Sequence, residues 1–195
     1  MSFASDRFAS DRFEPESASP PAMRSGEPIR FDFARSGGDC RPCRAICQDA
    51  GEHLALALVR FVCAGYMTAS ADCWEAAHAH ADATFGAVDG PPFVARAGAL
   101  VRALRAERRA GFAFFPASCA QVSRDEAELI ALVQAARAGD PDRLRRAGQK
   151  VGGGVSCGAI VTAARALAVL LNRYAALIAA GQGGGLAAGR GGAPN

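Results

Sequence analysis

The run Cys40-Arg41-Pro42-Cys43-Arg44-Ala45-Ile46-Cys47 gathers the residue types best suited to chemistry in this chain. A thiolate, not a thiol, ligates metals and attacks disulfides, and a helix N-terminus or a neighbouring arginine favours it. As a metal site, Cys40 and Cys43 reach one ion and Cys47 lies one helical turn beyond Cys43. Tetrahedral zinc or an iron–sulfur cluster wants four ligands. The fourth must come from His53, Cys63, Cys119 or Cys157, because no second C-x-x-C is present. The competing reading is structural: a buried thiol behaves as a small hydrophobe, and Cys47 and Cys63 are expected to do only that.

The stretch Phe31-Asp32-Phe33 followed by Cys40-Arg41-Pro42-Cys43-Arg44 resembles the strand, turn and C-x-P-C helix start of thioredoxin-like proteins. That resemblance implies Cys40 as attacking thiol and Cys43 as resolving thiol. The βαβ units and sheet of that fold have no counterpart in the rest of the sequence.

Other candidates are weaker. Trp74, His78, Ala81 and Phe85 keep helical spacing and read as one core or interface stripe. Cys73 and His80 could approach an ion, but two ligands do not make a site. Arg102, Arg105, Arg108 and Arg109 read as a solvated, dipole-complementing helix end; a phosphate or nucleic-acid contact shared with Arg143, Arg145 and Arg146 is the alternative. Gly152-Gly153-Gly154 precedes a helix but lacks the strand and the G-K-[ST] ending of a P-loop, so it reads as a hinge. No G-x-S-x-G, no H-E-x-x-H and no apolar carboxylate pair occurs, and no catalytic constellation can be built.

The elements that must position these residues are mostly helical. Pro28–Phe33 alternates apolar and charged residues and reads as a strand with no evident partner. Asp39 reads as the cap of a first helix over 41–66, apolar nearly all round and therefore central. Ser70 caps a second helix to Phe85, and Asp89-Gly90-Pro91-Pro92 reads as the turn before a third over 93–109. Phe112, Phe114 and Phe115 form an aromatic connection expected to pack over the core. Ser123 and Glu126 make a capping box opening a fourth helix to Ala138. Asp140 and Pro141 start a fifth helix to Lys150, and Ser156 caps a sixth.

The expected fold is all-α: a single bundle of six helices over 40–181, after an extended segment at 28–39. A polar arm at 1–27, with its tandem Phe-Ala-Ser-Asp-Arg repeat, and a Gly/Ala-rich tail at 182–195 are expected to be disordered.

Composition bounds function further. The chain has 195 residues, is 50% hydrophobic and carries a net charge of +3, which excludes a wholly disordered polypeptide. Seven cysteines are too few for a small disulfide scaffold. Of the 22 basic residues only Lys150 is lysine. That bias runs through the whole chain, so no single arginine stands out as chosen for bidentate chemistry. No segment has the dense positive charge of a dedicated nucleic-acid binder. The first residues lack an apolar signal and no uncharged span of membrane length exists, so a cytoplasmic protein is expected. By elimination the expected function is a non-enzymatic accessory or regulatory protein acting through a protein partner. The alternatives are a metal or thiol-redox module at Cys40, Cys43 and Cys47, and a weak nucleic-acid binder.

Overall fold

A computed structural model describes residues 30–34, 40–154 and 157–175. The two arms, the Asp39 cap and the Ser156 cap lie outside the described residues. Among the described residues the architecture is an all-α bundle of six helices with two short strand pairs.

The order is β1 (Phe31–Phe33), β2 (Arg41–Pro42), α1 (Cys43–Ile46), α2 (Ala50–Thr68), α3 (Ala71–Glu107), β3 (Phe112–Phe114), β4 (Gln121–Val122), α4 (Arg124–Ala138), α5 (Pro141–Val151) and α6 (Gly158–Arg173). One continuous core draws on α2, α3, α4, α5, α6, β1 and β3, with Leu58, Val62, Phe93, Leu100, Leu132 and Leu167 sealed from solvent. A smaller cluster of Cys47, Leu56, Val122 and Ile130 underlies the cysteine segment.

The fourth and fifth helices fall where their caps put them. Ser123 accepts from the Glu126 N–H and the Glu126 side chain accepts from the Ser123 N–H, while Gly139 closes α4 at φ 71°. Asp140 caps α5 with Pro141 in the first turn. Gly148 lets α5 close on α6, since a Cβ there would stand 2.6 Å from Val161 Cγ2.

Three expectations are corrected. The strand at 31–33 does have a partner: β1 pairs in parallel with β3, Phe31 opposite Phe112 and Phe33 opposite Phe114. The Phe-Ala-Phe run alternates as Phe-Asp-Phe does, so the aromatic connection is itself a strand whose Phe112 and Phe114 are buried. The first helix is not continuous. Asp49 accepts from the Glu52 N–H, and the Glu52 carboxylate accepts from the Gln48 N–H, so a fresh cap starts α2 and strands α1 as a separate turn. The break between the second and third helices lies at Gly86 (φ 83°), not at Asp89–Pro92. Only glycine takes that conformation without strain.

Candidate functional site

The cysteine segment is held by its backbone. Arg41 and Pro42 of β2 pair antiparallel with Val122 and Gln121 of β4, and the Cys43 N–H donates to the Ala120 carbonyl at 2.8 Å. Cys43 Sγ lies 3.7 Å from the Cys119 carbonyl and 3.8 Å from that of Gln121. Cys119 Sγ accepts from the Gln121 N–H at 3.4 Å. The fold thus brings Cys119 to Cys43. Cys40 is half-buried just before β2. Cys47 is buried, and burial first, then Cys43 and Glu52, push its thiol up to about 12. Burial pushes the Cys63 thiol up further still. His53 is exposed on the first turn of α2, and Cys157 caps α6 beside Gly148. Among the described residues no three His, Cys, Asp or Glu side chains stand where they could hold a metal ion. His78 and His80 are exposed.

Behind the thiols lies a sealed ion pair that the sequence reading missed. Arg60 on α2 is 2% exposed and Glu126 on α4 is 0% exposed. Arg60 Nε donates to Glu126 Oε1 at 2.7 Å and Nη2 to Oε2 at 3.0 Å. The rest of the guanidinium takes the Cys119 carbonyl at 2.7 Å and the Gln121 carbonyl. Glu126 also accepts from the Phe115 and Ser123 N–H groups. The loop carrying Cys119 is therefore wrapped around this pair. Burial alone would lower Arg60, but the Glu126 carboxylate outweighs it and holds the guanidinium above its ordinary value. The available signal was one arginine in an otherwise apolar stretch, which must find a counter-charge.

Two further networks close the frame. Arg108 is buried, contrary to the solvated helix end expected for it. It donates to Asp125 and to the Val151 carbonyl, both at 2.7 Å, and to the Gly111 carbonyl. Arg105 stacks 4.4 Å from the centre of the Tyr66 ring. Arg137 bridges Asp49 at 2.7 Å and Glu52 at 3.2 Å, tying α4 to the start of α2.

The opposite condition holds in a groove between α4 and α5, with a cavity volume of about 520 Å³. Its floor is Ala127 and Ala131 of α4 with Ala147 of α5. Among the described residues its rim carries five cations, Arg41, Arg124, Arg143, Arg146 and Lys150, against the single acid Glu128. Arg124 is 78% exposed and meets Glu128 at 3.3 Å. Arg41, Arg143, Arg146 and Lys150 form no ion pair among the described residues. The groove opens into a wider depression reaching Gly153 and Gly154. It exists because α5 spends Leu144, Gly148 and Val151 on the core and leaves its arginines outward. Arg41 sets one edge of the rim on the cysteine segment itself.

Comparison of the chain with protein-family models, curated proteins and solved structures found no match. Among the described residues no histidine or cysteine lines the groove. Its chemistry is therefore attraction of negative charge over a methyl surface.

Proposed function

We propose that this chain is a non-enzymatic accessory protein that acts by binding a protein partner, and that the α4–α5 groove is the face it uses. One observation carries the reading: among the described residues four rim cations form no ion pair, whereas Arg60, Arg108 and Arg137 all have one. Unneutralised charge around a concave surface raises the local concentration of an opposite charge and steers its approach. The test is binding of poly-L-glutamate at about 50 mM salt, followed by calorimetry. Wild type is expected to bind and Arg143→Glu/Arg146→Glu to lose binding. Equal affinity in both proteins would dismiss the groove.

A second reading, a thiol module, is favoured by the approach of Cys43 to the Cys119 loop. Its test is alkylation of the native protein at pH 8. Cys43 and Cys119 are expected to react first. Cys47, with its thiol near 12, and Cys63 should react only on unfolding. Equal rates for all four would end this reading. Zinc or iron–sulfur ligation by Cys40, Cys43 and Cys47 is checked on the same sample by metal analysis.

A further inference from the structure

Resting on the groove reading, we infer that the occupant is an acidic amphipathic α-helix, its small apolar face on the alanine floor and its carboxylates on the rim. The spacing argues for it. Ala127 and Ala131 are one turn apart on α4; Arg143 and Ala147, and Arg146 and Lys150, are one turn apart on α5. Floor and rim therefore repeat at about 6 Å, four residues of helix rise, which is the spacing of the i and i+4 side chains on a helix laid along the groove. Methyl groups let a third backbone come close, as in helix-in-groove recognition.

The alternatives fit less well. Among the described residues no aromatic side chain lines the groove, so unpaired bases have nothing there to stack on. A free phosphate is best held by converging backbone N–H groups. The adjoining glycine turn offers none: the Gly152, Gly153 and Gly154 N–H groups already donate to the Gly148, Lys150 and Gln149 carbonyls. The cations are also divided among β2, α4 and α5, which suits an elongated ligand.

The experiment uses the full chain and three probes at about 50 mM salt. One is a synthetic peptide with alanine and leucine on one helical face and glutamate on its flanks. The second is its scramble, equal in composition but without that face. The third is a single-stranded oligonucleotide of equal charge. The amphipathic peptide should bind and gain helical circular dichroism. Its affinity should fall roughly tenfold or more in Arg143→Glu/Arg146→Glu. Ala131→Leu fills the floor with a good helix former. It should weaken the amphipathic peptide and leave poly-L-glutamate binding unchanged. A scramble that binds as well as the peptide, or an oligonucleotide that binds more tightly, overturns the helix and leaves an anion groove. No binding by any acidic probe overturns both.

Discussion

Two regions of this molecule are built from arginine, and they are finished differently. Around Arg60 every donor direction is met by a carboxylate or a carbonyl, and the pair is almost wholly buried. Around Arg143, Arg146 and Lys150 the helices supply almost no counter-charge. The first arrangement is costly to open, because removing one partner leaves an uncompensated charge in the interior. The second costs the fold little, because water solvates each cation. Where charge is complete it holds elements in place; where it is incomplete it is available to something else.

That contrast can be broken at its closed end first. Glu126→Gln or Arg60→Met should cost about 3–5 kcal/mol in urea unfolding, while the paired change Arg60→Met/Glu126→Leu should recover much of it. A single-variant loss below about 1 kcal/mol would mean the pair is not sealed. Next, Arg108→Ala should cost about 1–3 kcal/mol, since it removes the partner of the Val151 and Gly111 carbonyls and leaves Asp125 only the Ala113 N–H.

Smaller still is the acid response of Asp49. Burial raises its carboxyl, but the Glu52 N–H and Arg137 outweigh that and hold it below its ordinary value. Its contribution is therefore present above the ordinary carboxylate range and is lost as pH falls through that range towards the folded value. Asp49 is 45% exposed, so the Asp49→Asn difference between pH 6 and pH 3 should stay under about 1 kcal/mol. Smallest is the open end. Arg143→Glu/Arg146→Glu should move stability by no more than about 0.5 kcal/mol while removing anion binding. A large stability loss there would show that these arginines belong to the frame after all.

Much of the helical frame could be read directly. The Ser123–Glu126 box, the Asp140-Pro141 start and the Gly139 stop are local codes, satisfied within a turn of backbone. Asp49–Glu52 is the same kind of code, overlooked because the apolar run across 41–66 read as one helix. Other features had no local signature. Phe31 meets Phe112 across 80 intervening positions, and nothing in either tripeptide names the other. Of the candidate site, the sequence exposed Cys43 and raised Arg143 and Arg146 as an anion contact, but it did not place either beside α4.

Residue order alone settled which segments coil, where most of them start and stop, and that the chain carries an excess of positive charge. Caps, glycines and apolar periodicity act over a few neighbouring residues, so no distant partner is needed to read them. Which arginines are neutralised was decided only when α2, α4 and α5 came together. Arg60 and Arg146 are chemically identical in the written chain, and the difference between them is the carboxylate that folding does or does not bring within reach.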